Sequence, residues 1–113
     1  MKKGEIYFAD LDPTVGMEIK KTRPVLIVSN DENNQFHLLI TVVPLTSKVS
    51  RVFPFEVFLS KEDSGLSKDS KAQCNQIRTI SKQRISAVQP SGEISQDLMF
   101  KVQEALKLHL DLD

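Results

Sequence analysis

Two apolar runs constrain the fold more than any other part of this chain. Val25-Leu26-Ile27-Val28 and Leu38-Leu39-Ile40-Thr41-Val42-Val43 are rich in β-branched and aliphatic residues, and polar segments bound both. Each is short for a buried helix and is read as a buried strand, the first ending at Ser29. Between them, Asn30-Asp31-Glu32-Asn33-Asn34 is turn-forming and predicts a hairpin into a second strand from Phe36 to Val43. Arg23-Pro24 leads into the first run, and Pro44-Leu45-Thr46-Ser47-Lys48 follows the second. Pro24 disfavours helix at Arg23 and holds it extended. A cation and a hydroxyl at the ends of neighbouring strands form a candidate anion site.

The flanking segments continue the β reading. Glu5-Ile6-Tyr7-Phe8-Ala9 is a short β run that ends at a turn signal, Asp10-Leu11-Asp12-Pro13. A polar loop with Gly16 and Lys20-Lys21 leads to Arg23. Val52 to Leu59 alternates, placing Phe53, Phe55, Val57 and Leu59 on one face, with Pro54 marking an edge or a bulge. Ser64 to Lys68 reads as a loop. Ala72 to Ile80 and Ile85 to Val88 are further β candidates, joined by a turn at Ser81-Lys82-Gln83-Arg84. The period then changes. Ser95 can cap a helix, and Leu98, Met99, Val102, Ala105, Leu106 and Leu110 fall at helical spacing. The predicted architecture is mainly β with a C-terminal helix: a small, strongly bent antiparallel sheet or barrel with the helix packed on it. The 113 residues fit a single domain spanning 1–113.

Charge excludes a globally basic nucleic-acid binder, since 15 Lys and Arg balance 15 Asp and Glu. The distribution is uneven, however: residues 20 to 84 hold 11 basic against 6 acidic side chains. A neutral chain can therefore present a basic face, although ordinary solvated charge also accounts for the count. The single cysteine, Cys74, excludes an intrachain disulfide and suggests a reducing compartment. No apolar run approaches a membrane span, and the N-terminus lacks the apolar stretch of a signal peptide. A cytoplasmic location without membrane contact is expected.

Most catalytic chemistries lack their residues here. His37 and His109 lie far apart and outside any cluster with metal-ligand spacing. Asp10 and Asp12, before Pro13, suit an Asx-type turn better than a metal or acid–base pair. Cys74 has no histidine partner and reads as a small buried residue. Phosphate-binding glycine loops and the nucleophile-elbow motif are absent. Arg23, Thr46, Ser47, Lys48, Gln76 and Arg78 remain. A guanidinium matches phosphate oxygens in two-pronged fashion and stays charged when partly desolvated. Each residue also has a plain structural reading: Arg23 in a salt bridge to Glu18, for instance, or Thr46 in turn chemistry. On pattern alone the chain is a barrel-like domain with a candidate anion site.

Several segments together carry a resemblance. Gly4-Glu5-Ile6-Tyr7-Phe8-Ala9-Asp10-Leu11-Asp12-Pro13-Thr14-Val15-Gly16, then Glu18, then Arg23-Pro24-Val25-Leu26-Ile27 closely resembles the opening of the MazF/PemK family of toxin endoribonucleases. Pro44-Leu45-Thr46-Ser47, Phe53-Pro54-Phe55-Glu56-Val57, Gln76-Ile77-Arg78-Thr79-Ile80 and Lys82-Gln83-Arg84 resemble it too, as does the helix from Met99 to Leu110. The match runs in order along nearly the whole chain.

The resemblance implies a small SH3-like β-barrel with a C-terminal helix, forming a homodimer. It implies metal-independent cleavage of single-stranded RNA at short sequences, leaving 2′,3′-cyclic phosphate and 5′-hydroxyl ends, with no cofactor. It also implies a cognate antitoxin whose flexible, acidic tail occupies the RNA groove. The family's catalytic arginine falls on Arg23 and its catalytic threonine on Thr46. Glu18, Ser47 and Gln76 match positions near the substrate path, and Lys20, Lys21, Lys48 and Arg78 add to the RNA-binding set. The loop before Arg23 departs from the pattern. Met17, Ile19, Lys20 and Lys21 stand where the family carries Ser, Gln and small residues. That change leaves the chemistry, leaves the preferred RNA sequence open and adds cations for phosphate. The alternative on the same fold is a toxin that binds and inhibits DNA gyrase.

Overall fold

The computed structural model describes residues 1–113. Its strands in chain order are β1 (Glu5–Asp10), β2 (Thr22–Ile27), β3 (Leu39–Thr46), β4 (Glu56–Leu59), β5 (Ser70–Gln73), β6 (Arg78–Ser81) and β7 (Gly92–Glu93). Helix α1 (Asp31–Phe36) follows β2, α2 (Lys61–Ser64) follows β4, and α3 (Gln96–Leu110) ends the fold. All strand pairs are antiparallel, in the order β4-β5-β3-β2-β1-β7, with β6 also on β3.

Strand β3 organises the fold by changing partners along its length. Its first half pairs with β6 from Leu39 to Val42, while Val42 to Pro44 pair with β2. Its last two residues, Leu45 and Thr46, pair with β5 instead. The sheet therefore bends sharply into a half-closed barrel. Both of its faces are covered, which explains why the strands read as continuous apolar runs. Leu26, Val43, Leu45, Val57, Leu59 and Ala72 point to one core, which Met99, Val102 and Ala105 of α3 complete. Tyr7, Val25, Ile27, Ile40, Val42 and Ile80 form a second cluster on the opposite face. Ser95 caps α3 as expected, its hydroxyl accepting from Leu98 N–H at 3.2 Å.

Several local expectations are corrected. The hairpin turn after Ser29 is helix α1: Asn30 caps it by accepting from Asn33 N–H at 2.8 Å, and Asp31 and Glu32 suit its first turn. Asn and Asp serve both turns and caps, so composition alone did not separate the two. Strand β3 accordingly starts at Leu39, and His37 closes α1 rather than opening a strand. The alternating run from Val52 supplies a strand only from Glu56, because Phe53 and Phe55 stack on each other before it. Ser64 ends α2, which Ser60 caps, and Gly65 follows at φ +80°, where a side chain would be strained. A 3₁₀ turn at Cys74–Gln76 splits the expected Ala72–Ile80 strand. Ile85 makes only an isolated bridge, to Ala9, and Lys82–Arg84 is a 3₁₀ turn. Leu110 is 47 % exposed rather than part of the buried helical stripe, which ends with Ala105 and the half-buried Leu106.

No helix is long and apolar enough to cross a membrane.

Candidate active site

The register between β2 and β3 brings Arg23 and Thr46 into line. Val25 pairs with Pro44, and continuing the ladder by two residues sets Arg23 opposite Thr46. At this point β3 has turned away to β5, so the strands part and a hollow of about 550 Å³ opens. Arg23, Thr46, Lys48, Gln76, Glu18 and Lys20 all line it. Side-chain alternation explains the remaining wall. Thr46 pairs with Lys71, and Lys71 with Phe58, while Gln73 pairs with Glu56. Directly opposed residues share a face, so β3, β5 and β4 present one largely polar surface, interrupted by the exposed Phe58, and keep Leu45, Ala72, Val57 and Leu59 inside.

Arg23 is half-buried, and its Nε–H donates to the carbonyl of Lys20 at 3.2 Å. Its terminal N–H groups have no protein partner and remain available to an anion. The salt bridge to Glu18 is not formed: the Glu18 carboxylate instead accepts from Val15 N–H at 2.6 Å. Thr46 Oγ1 accepts from Lys48 N–H at 3.3 Å, which leaves its own hydroxyl proton for a ligand. Gln76 holds the loop before Arg23 at two points. Its Oε1 accepts from Ile19 N–H at 2.9 Å, and its Nε2 donates to Met17 O at 3.4 Å. Lys20, Arg23 and Lys48 face a single carboxylate, Glu18, around the hollow, while Lys71 on its wall is paired with Glu56. Such a surface favours an anion of phosphate character.

The other expected residues lie elsewhere. Ser47 alternates to the far side of the strand and lines a neighbouring hollow of about 420 Å³, which also touches Arg23. Arg78 borders a third hollow with Glu18 and Gln76, and its Nη1 donates to Leu11 O at 3.1 Å. Lys21 lines none of these hollows; it takes a left-handed conformation at φ 68°, and its carbonyl accepts from Leu11 N–H at 3.0 Å. Asp10 makes the Asx-type contact, accepting from Asp12 N–H at 3.1 Å. Cys74 is buried, and burial together with the Glu56 charge pushes its thiol up to about 12, so it is not a thiolate nucleophile at neutral pH.

Sequence reasoning missed Lys71, Gln73 and Glu56. Lys71 Nζ lies 2.9 Å from Glu56 Oε1 in the only ion pair of the chain, and both side chains are buried. Gln73 Nε2 donates to the second Glu56 oxygen at 3.2 Å. Burial by itself would raise the Glu56 carboxyl. Hydrogen bonds from Phe53 N–H, Lys71 and Gln73, with the lysine charge, outweigh it and hold the group below the usual range. The signal available was slight: Glu56 stands in a predicted alternating strand, whereas Lys71 lies in the polar stretch Asp69-Ser70-Lys71-Ala72-Gln73. Only the register shows that they meet.

Known proteins extend this geometry. The chain is 45% identical over 117 residues to the endoribonuclease MazF9 of Mycobacterium tuberculosis, covering 99% of this chain and 98% of that protein. It is 37% identical over 113 residues to the endoribonuclease EndoA of Bacillus subtilis, covering 99% and 96%. The Mycobacterium tuberculosis toxin MazF-mt6 superposes with a TM-score of 0.80 at 28% identity, over 96% of this chain and 98% of that one. A mycobacterial endoribonuclease in complex with its cognate antitoxin gives 0.80 at 26% identity, over 100% and 97%. The profile of the PemK-like, MazF-like toxins of type II toxin–antitoxin systems matches residues 2–110. The chain belongs to that family.

Proposed function

We propose that this protein is an endoribonuclease toxin that cuts single-stranded RNA at short sequences, blocking translation and growth, and that a cognate antitoxin neutralises it. The observation that carries this reading is the convergence of Arg23 and Thr46 on one cation-rich hollow in a chain so similar to named endoribonucleases. The nucleophile is the substrate's own 2′-hydroxyl, so no covalent enzyme residue is needed and DNA is spared. The 2′-oxygen attacks the adjacent phosphorus, the P–O5′ bond breaks, and the products are a 2′,3′-cyclic phosphate and a 5′-hydroxyl. Arg23 clamps the phosphoryl oxygens as charge builds on them, and Thr46 donates to a non-bridging oxygen. Arginine stays protonated and is a poor base. Glu18 is the carboxylate on the wall of the hollow, and we assign it the 2′-hydroxyl proton. The leaving 5′-oxygen takes a proton from solvent water at the hollow, while the Arg23 guanidinium keeps its charge.

Two partners belong to the same reading. A homodimer is supported by apolar side chains left open to solvent: Phe36 is 71 %, Leu38 81 % and Val88 89 % exposed. An antitoxin with an acidic segment suits the cations around Arg23. The test is digestion of a long, defined single-stranded RNA in EDTA, with both cut positions and end groups mapped. Cyclic phosphate 3′ ends support the reading. Free 3′-hydroxyl ends, or cleavage only with added metal, overturn the mechanism. Intact RNA together with co-purification of gyrase favours the gyrase-binding alternative.

A further inference from the structure

The buried ion pair beside the hollow holds up a second feature. Glu56 Oε1 accepts from Phe53 N–H at 2.9 Å, and Lys71 Nζ donates to the carbonyl of Arg51 at 2.6 Å. The pair thus fixes the backbone on both sides of Val52. On that frame the Phe53 and Phe55 rings lie parallel, 5.5 Å between centroids and 1° between planes. The Arg51 guanidinium carbon sits over the Phe53 ring, 4.7 Å from its centroid. Arg51 is exposed, and its side chain has no carboxylate partner or hydrogen bond. A desolvated ion pair is a costly way to gain stability alone. Here its hydrogen bonds shape an exposed loop.

We infer that the Arg51 guanidinium, laid on Phe53, is a stacking platform for one unpaired base of single-stranded RNA flanking the phosphodiester held at Arg23 and Thr46. This rests on the ribonuclease reading. Lys71 joins the two places: it lines the hollow with Thr46, and its ammonium lies 5.8 Å from the Phe53 centroid. Unstacked RNA bases pile on aromatic rings and on guanidinium planes, and both are present here in contact with each other. Contact with the Phe53 ring already holds the guanidinium in place, so less ordering remains when a base arrives. Lysine at the same position would keep the charge and lose the plane.

The experiment uses single-stranded oligonucleotides containing one mapped cut site, with each flanking base replaced in turn by an abasic nucleotide. With the native protein, one flanking position raises KM about 5- to 100-fold when abasic, with kcat little changed. In both Arg51→Ala and Arg51→Lys that penalty disappears, and KM for the intact RNA rises to the abasic value. Retention of the penalty in Arg51→Lys makes the contact one of charge and overturns the platform, as does its retention in Arg51→Ala. A parallel measurement separates failure of the ribonuclease reading. Bound RNA carrying 2-aminopurine is quenched when that base stacks, whether or not the RNA is cut. Loss of quenching in both variants supports the platform even in a protein that cuts nothing. Unchanged quenching, with loss of acidic-peptide binding in its place, assigns Arg51 to a protein partner and overturns it.

Discussion

The Gln76 side chain holds the backbone of Ile19 at 2.9 Å across 57 residues of sequence. The same amide reaches Met17 O, so a single side chain on the 3₁₀ turn after β5 pins the loop that carries Glu18 and Lys20. That loop forms one wall of the hollow, and its order is therefore set by a side chain that lines the same hollow.

Replacing Gln76 by Ala removes both contacts. A typical intramolecular hydrogen bond contributes about 1 kcal/mol net, so the pinned loop state loses roughly fivefold in population. The expected result is faster amide exchange at Ile19 and a KM for single-stranded RNA about 5- to 10-fold higher, with kcat less affected. Exchange measured by NMR, beside steady-state kinetics, checks this. Unchanged protection at Ile19 removes the pinning role.

Arg23→Ala is expected to lower cleavage by about 10²- to 10³-fold, the usual cost of a preorganised donor aimed at developing charge. The Arg23 side chain makes one hydrogen bond within the protein, so the fold should lose no more than about 1 kcal/mol. Thr46→Val should give a similar loss in rate, and Thr46→Ser should retain most activity, because the hydroxyl donor survives. The rates are measured in EDTA alongside thermal melts. An active Arg23→Ala protein would show that the arginine is structural.

How far the sequence could be read depended on what each signal encodes. Val25 to Ile27 and Leu39 to Val43 announced buried strands because both sheet faces are covered and nearly every position is apolar. The α3 stripe was equally plain, since Ser95 and the spacing of Met99, Val102 and Ala105 agree. Asn30 was ambiguous because one side-chain oxygen serves both a turn and a helix cap. Arg23 and Thr46 stood out by family resemblance, but their alignment follows from the β2–β3 register. Lys71 was invisible for the same reason: only pairing with Thr46 and Phe58 shows which face it occupies.

Glu56 makes stability depend on acid pH. Its folded carboxyl lies below the ordinary value of 4.5, so the unfolded chain binds the proton more readily. The stabilisation is full above about pH 4.5 and is lost as pH falls through the lower folded value. Removing one partner leaves a buried charge: Lys71→Met should cost about 3 kcal/mol at pH 7, and Lys71→Met with Glu56→Gln should recover much of it. Denaturant melts from pH 3 to 7 test this. A double variant with the native acid slope would assign the dependence to other carboxylates.

Gly92 is the most closely approached of the four glycines. A Cβ built on it would lie 2.0 Å from the carbonyl oxygen of Ser64. Its backbone is not left-handed, so the requirement is space rather than conformation. The approach seats β7 against the end of α2 while β7 pairs with Glu5 and Ile6 of β1. Because the obstructing atom belongs to the main chain, no rotamer change relieves it. Gly92→Ala should destabilise by about 3 kcal/mol, the upper part of the range for overpacking. Gly16→Ala is the contrast: no atom lies within 4 Å of its Cβ, and the cost there comes only from φ +59°. That cost should be about 1 kcal/mol. Chemical denaturation of the two variants distinguishes the cases, and equal midpoints would show that β7 shifts to admit the methyl group.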